Sequence, residues 1–432
     1  MSQFKIVYSN FLNPIRDKRC DFLENHALIS KKYKNGYKIT DICTYKQAQE
    51  FIKNKKSVEE IDLRSKVCAP GFYDTHFHWV QDDVREMPKD NLLDWLSNYT
   101  WPYERNFKNK TYANSKAKEF AKKIFDGGTI GGACYGSIHK HSVDSAFKHF
   151  VGDYVIGNVL MTMNSPDYLS QSEADAKRLV TELSQTYKKK YAMTPRFAIT
   201  TDPRTMAHGA REAKRNKSFI QTHLSETLNE IEFVLSIYKD IPGFEDVKSY
   251  TEIYDRCHLL GPKTIMGHGI YLSPKELKRL VETQTSVAHC PTSNAPIKDK
   301  GLGSGLFDFR RASRYKLRWS LASDIGGGPY LSMLDVMNSF VNQNNKNDKG
   351  STSYVQALFR STLAGAELLG LENESGNFQI GKYLNMICLG DMPKSKNLDA
   401  ETLIRKLVKK PAKSRHLYSD LVESCAYRGV FN

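Results

Sequence analysis

Between residues 68 and about 371, short β-rich segments alternate with longer amphipathic stretches, and no other feature constrains the fold as tightly. The strand candidates are "VCAPGFYDTHFH", "GGTIGGACYG", "YVIGNVLMTM", "YAMTPRFAIT", "SFIQTHLSE", "KTIMGHGIYL", "TSVAHCPTS" and "LRWSLASDIG". Helical stretches such as "NSKAKEFAKKIFDG", "SEADAKRLVTELSQTYKKK" and "SPKELKRLVETQ" separate them. The last of these opens with Ser273, Pro274 and Glu276, which together make a cap, a first-turn proline and a capping box. Eight β segments divided by helices predict an α/β fold, a (β/α)8 TIM-like barrel.

The chain ends read differently. Residues 1–67 mix short apolar stretches ("FKIVYSNFL", "HALIS", "YKITDIC") with turn residues and one helix, "TYKQAQEFIKNKK". After 372, "GNFQIGKYLNMICLGD" and "CAYRGVFN" look like strands again. The expected organisation is therefore a small β-sandwich domain formed by both chain ends, 1–67 and 372–432, around a barrel spanning 68–371.

Composition narrows the class. With 432 residues, 40% hydrophobic and 26% charged, the chain matches an ordinary globular protein long enough for a barrel and a satellite domain. No apolar run approaches the roughly 20 residues of a membrane span. The start, "MSQFKIVYSNFLNPIRDK", lacks a secretory pattern, so a cytoplasmic address is expected. Eight cysteines without a CxxC pair argue against a zinc ribbon and against a disulfide framework. The net charge of +15 and pI near 9.2 raise the question of an anionic partner. The lysines are spread along the chain, however, without interleaved aromatics, and read as a solvated surface.

Barrel enzymes carry their chemistry at the C-terminal ends of the strands. The polar residues there are His76 and His78 on the first, Arg196 on the fourth, His223 and Glu226 on the fifth, His268 on the sixth and Asp324 on the eighth. Strand residues i and i+2 share a face, so one ion can take both His76 and His78. His223 and Asp324 would complete four contacts. Nitrogen-rich ligation with one carboxylate and no thiolate suits zinc, with Fe2+ or Mn2+ as compatible alternatives. Singly, each residue has a plainer explanation: a lone histidine is usually structural, and Asp324 ahead of "GGG" reads as a cap. His139 and His141 of "SIHKHS", and His289, are read as structural. Joint placement makes the selected set specific.

That placement resembles the amidohydrolase superfamily of metal-dependent barrel hydrolases. The stretches "PGFYDTHFHWVQ", "TPRFAIT", "QTHLSE", "GHGIYLS", "AHCPTSN", "GSGLF" and "SDIGGGPYLSMLD" sharpen it toward the aminohydrolases that act on guanine, as do "WPYERNF" and "MTMNSPDYL". The resemblance runs from about residue 60 to 382. It implies one zinc per subunit on His76, His78, His223 and Asp324. It also implies Gln81 and Arg196 on the purine edge, Phe197 beside the ring, and His78, His223 and Glu226 against the substrate. Glu226 becomes the proton shuttle, Asp324 a proton acceptor, and His268 the partner of the attacking hydroxide or developing oxyanion. Related binuclear enzymes carry a carboxylated lysine after the fourth strand; Arg196 stands there instead, which favours a single metal. A homodimer with a small-molecule purine substrate is the implied form.

The rival expectations are an aminohydrolase for 8-oxoguanine, a pterin or cytosine, a silent scaffold, and a nucleic-acid deaminase. The last class uses a PCxxC ligand motif that this chain lacks, and a scaffold need not keep every ligand together with Glu226. The connection "APIKDKGLGSGLF" after the seventh strand is longer than in relatives, with Ala295 where an aliphatic residue is usual. It is expected to border the pocket.

Overall fold

Four long strands begin the chain: β1 (Phe4–Arg16), β2 (Arg19–Tyr33), β3 (Gly36–Thr44) and β4 (Val58–Ala69), with the helix Tyr45–Lys53 before β4. This computed structural model describes residues 2–34, 36–53, 55–89, 91–348, 350–394 and 398–409. The strands are longer than the short ones read from the sequence. β1 explains why: it is buried from Lys5 to Pro14, so apolar residues occupy both faces and no alternation marks its extent. Val7 and Phe11 join one core with Leu28 and Cys388, while Ile6 and Tyr8 join another with Ile29 and Ala48.

The eight barrel strands follow in the expected order: β5 (Phe72–His78), β6 (Thr129–Gly136), β7 (Asp153–Leu160), β8 (Ala192–Pro195), β9 (Phe219–Leu224), β10 (Thr264–His268), β11 (Ser286–His289) and β12 (Arg318–Leu321). Each pairs in parallel with the next, giving one eight-stranded sheet in sequence order. The helices Lys110–Asp126, Glu173–Tyr187 and Pro274–Glu282 stand where amphipathicity placed them, and Ser273 and Glu276 form the capping box.

A final strand, β13 (Ile387–Asp391), pairs antiparallel with β4, so both ends of the chain build one sheet of order β13-β4-β1-β2-β3. Only this part of "GNFQIGKYLNMICLGD" is strand, and "CAYRGVFN" lies outside the described residues. The run "VCAPGFYDTHFH" is divided between the two sheets. Val67–Ala69 belong to β4, and the barrel strand starts after Pro70 and Gly71, where proline removes a ladder donor. Seven cysteines lie among the described residues and all are free thiols. Among the described residues no helix is long and apolar enough to cross a membrane.

The barrel closes where β5 meets the segment after β12. Asp324 N donates to His76 O at 2.8 Å and His78 N donates to Ile325 O at 2.9 Å. Beneath them the buried Asp74 carboxylate accepts from Ser323 N at 3.0 Å and from Ser323 Oγ. Asp74→Ala strands both donors in a dry seam, each costing about 1–3 kcal/mol. The expected loss is about 3 kcal/mol of stability, read as a lower urea midpoint; an unchanged midpoint would show that the seam holds without this carboxylate.

Candidate active site

The strand ends on one side of the barrel gather the expected polar residues. His76 and His78 end β5, His223 lies in β9, His268 ends β10, and Asp324 follows β12. Ligand atoms of His76, His78, His223 and Asp324 all lie within 4.8 Å of one another. Asp324 Oδ1 is 3.3 Å from His76 Nε2 and 3.6 Å from His78 Nε2, and the Nε2 atoms of His78 and His223 are 3.1 Å apart. Donors held tetrahedrally at about 2.0–2.2 Å from an ion stand about 3.3–3.6 Å apart. The four side chains therefore have the spacing of a metal centre.

Their protonation agrees. Burial pushes His76 down and His78 and His223 well below the usual imidazole range, so all three are neutral, the form that binds metal. His223 Nδ1 lies 2.6 Å from Arg196 O, which accepts from it and leaves the Nε2 lone pair facing His78. Among the described residues neither ring nitrogen of His76 has a hydrogen-bond partner, and both are buried. Neutral donors in this state cost free energy unless a cation takes them. A second grouping exchanges His78 and His223 for His268 and Cys290. Burial holds the Cys290 thiol well above its normal range and it faces Ala288 O, which disfavours a thiolate ligand.

Beside the donors lies Glu226, two residues past β9. Its Oε1 accepts from Ser304 Oγ at 2.8 Å and its Oε2 is 3.4 Å from His268 Nε2. Burial raises the Glu226 carboxyl although His268 pulls it down. Burial works against a charge on His268 too, but Glu226, Asp324 and the Asn294 side chain outweigh it and shift its pKa up. His268 Nδ1 stands 2.9 Å from Asn294 Oδ1. His139 and His141 belong to no metal grouping among the described residues. His289 is packed among Phe307, Trp319 and Phe340.

A pocket opens over these groups, lined by His78, Gln81, Arg196, Phe197, Glu226 and Asp324, with Leu92, Trp95, Leu96 and Leu302 as its apolar wall. About 390 Å³ within it and its open mouth is free of protein atoms. Gln81 sits in the turn Trp79–Val84, and Arg196 directly follows β8. The "APIKDKGLGSGLF" connection borders the pocket through Leu302 and reaches Glu226 through Ser304.

Sequence reasoning did not single out Glu104, Ser304 or Asn294. Glu104 is fully buried and binds both Gln81 and Arg196. No local pattern marked Glu104, because the helical stripe of Leu92, Trp95, Leu96 and Tyr99 continues to Tyr103 and leaves Glu104 off that face.

This combination of barrel and site defines a class. The chain belongs to the amidohydrolase family, whose profile matches residues 67–412. Guanine deaminase of Escherichia coli (strain K12) is 34% identical over 76% of this chain and 74% of the relative. Guanine deaminase of Rattus norvegicus is 33% identical over 82% and 79%. Among solved structures, a guanine deaminase of C. acetobutylicum with bound guanine superposes with a TM-score of 0.83 at 26% identity, covering 96% of this chain and 98% of that one.

Gly267 on β10 makes the His76 position possible. A Cβ there would lie 2.5 Å from His76 Cε1 and 2.8 Å from Nδ1, too close for either to stay. Gly267→Ala is expected to lower metal affinity about 10–100-fold with the fold retained, measured by chelator competition beside circular dichroism. Unchanged affinity would remove His76 from the ligand set.

Proposed function

We infer that this chain is a guanine deaminase, which converts guanine and water to xanthine and ammonia. The observation that carries the reading is the convergence of a four-donor centre, a buried acid and two purine-edge readers on one pocket. Sequence identity of 34% to a guanine deaminase over most of both chains supports it. His76, His78, His223 and Asp324 would hold one divalent ion, proposed as zinc from the nitrogen-rich donor set. When bound, such an ion acidifies water to a pKa of about 7 and so makes hydroxide available at neutral pH.

The side chains supply the rest. Arg196 donates to the O6 carbonyl, and Gln81 reads a neighbouring point on the same edge. Phe197 and the wall of Leu92, Trp95, Leu96 and Leu302 cover the ring faces and exclude bulk water. Asp324 accepts the proton lost from the attacking water. Glu226, with its carboxyl raised by burial, protonates ring N3 as hydroxide adds to C2. Glu226, now a carboxylate, takes the proton of the C2 hydroxyl and delivers it to the exocyclic nitrogen; the C2–N bond breaks, ammonia leaves as the C2 carbonyl forms, and the proton held by Asp324 restores the Glu226 carboxyl. His268 donates to the oxygen on which negative charge develops. A cytoplasmic homodimer belongs to the same proposal, supported by the resemblance to relatives.

The test is an ultraviolet assay of guanine loss and xanthine formation, with ammonia release from 8-oxoguanine, a pterin and cytosine alongside. Guanine is expected to be the preferred substrate, and equal rates across the panel would overturn the assignment. Chelation should abolish activity and added zinc restore it. Glu226→Gln is expected to keep its metal and lose about 10²–10⁴-fold in kcat, the usual scale of one general acid–base group. A variant as fast as the parent would take the proton shuttle away from Glu226.

A further inference from the structure

Glu104 ends the short helix Trp101–Glu104, fully buried and behind the pocket wall. Its carboxylate accepts from Gln81 Nε2 at 2.7 Å and from Arg196 Nη1 at 3.0 and 2.9 Å. A carboxylate in an ion pair with a guanidinium has no proton to give, so Gln81 can meet it only through the amide NH2. The orientation of Gln81 is thereby settled, with Oε1 turned away from Glu104. Among the described residues neither Gln81 Oε1 nor Arg196 Nε and Nη2 has a hydrogen-bond partner, and both side chains line the pocket. The wall therefore offers an acceptor beside guanidinium donors.

We propose that Glu104 is a positioning residue that sets substrate specificity, by clamping Gln81 and Arg196 so that the pocket presents an acceptor for N1–H and donors for O6. The inference rests on the guanine reading above. A purine with an amino group at C6 and a bare N1, such as 2,6-diaminopurine, meets donor against donor and acceptor against acceptor. A site built around such groups rejects the mismatched analogue steeply, because its own buried polar atoms are left unpaired. With a neutral amide at position 104 the Gln81 amide can turn over, and the distinction weakens.

The experiment measures kcat and KM for guanine and 2,6-diaminopurine, both of which carry the reacting 2-amino group. It uses the metal-loaded parent, Glu104→Gln and Glu104→Asp, with metal content checked in each. In Glu104→Gln the guanine-to-diaminopurine ratio of kcat/KM is expected to fall at least tenfold, mostly through a higher KM for guanine. Glu104→Asp keeps the charge but is one methylene shorter, and should retain a ratio between the two. If both substrates lose activity in proportion and the ratio stands, Glu104 is structural and the proposal is overturned. Should Glu104→Gln fail to fold, Glu104→Asp decides, since an unchanged ratio there overturns it too. A parent inactive on guanine would remove the function reading itself; an active parent with unshifted variants removes only this inference.

Discussion

The site depends on how the barrel closes. His76 and Asp324 meet only because β5 docks on the segment after β12, and the same two backbone hydrogen bonds that seal the seam set the ligand spacing. Asp74 and Ser323, 249 residues apart in sequence, pin that seam from below. The backbone is bent to suit. Ser225, His268 and Asp324 have φ of 50°, 68° and 49°, in the left-handed region that residues with a side chain seldom enter. Each such residue costs of order 1–3 kcal/mol and persists only where its surroundings over-determine it. Here all three fall at or just past the ends of site-bearing strands.

Burial then gives the groups of the site different states. Three imidazoles are kept neutral and available as donors, while Glu226 and His268 shift upward. For Glu226 the reason is desolvation, which lets a carboxyl hold a proton it would lose in water. For His268 it is the company of Glu226 and Asp324, strong enough to outweigh desolvation. A hydroxyl from the long connection, Ser304, fixes one oxygen of Glu226 and leaves the other toward His268. On the proposed reading, one pocket thus separates metal donors from proton carriers by their protonation without separating them in space.

Much of this was legible in the sequence because it follows local periodicity. Seven of the eight barrel strands lie within their predicted segments and β7 starts one residue early, at Asp153, since each is a short apolar run bounded by turns. The HxH pair was readable because strand geometry puts i and i+2 on one face. Sequence could not divide "VCAPGFYDTHFH" between two sheets, because the pairing of Val67 with β1 and β13 is non-local. Nor could it reveal Glu104, whose partners Gln81 and Arg196 come from other segments. A carboxylate between tyrosine and arginine in "WPYERNF" looks like a solvated charge until the fold buries it.

On the reading proposed above, Glu104 also changes what the pocket selects. An Arg196 guanidinium without a counter-ion would favour anionic ligands, whatever their shape. Paired with a buried carboxylate, it contributes a hydrogen-bond pattern with little net charge, and the desolvation of both ions is offset within the pair. Recognition then rests on the arrangement of donors and acceptors, which suits a neutral heterocycle such as guanine. The +15 charge of the chain follows a different logic, because its lysines are dispersed along the sequence while the residues proposed to read the ligand are buried together in an internally balanced pair. Surface charge can alter solubility and encounter, whereas the proposal assigns discrimination among neutral purines to the geometry that Glu104 holds in place.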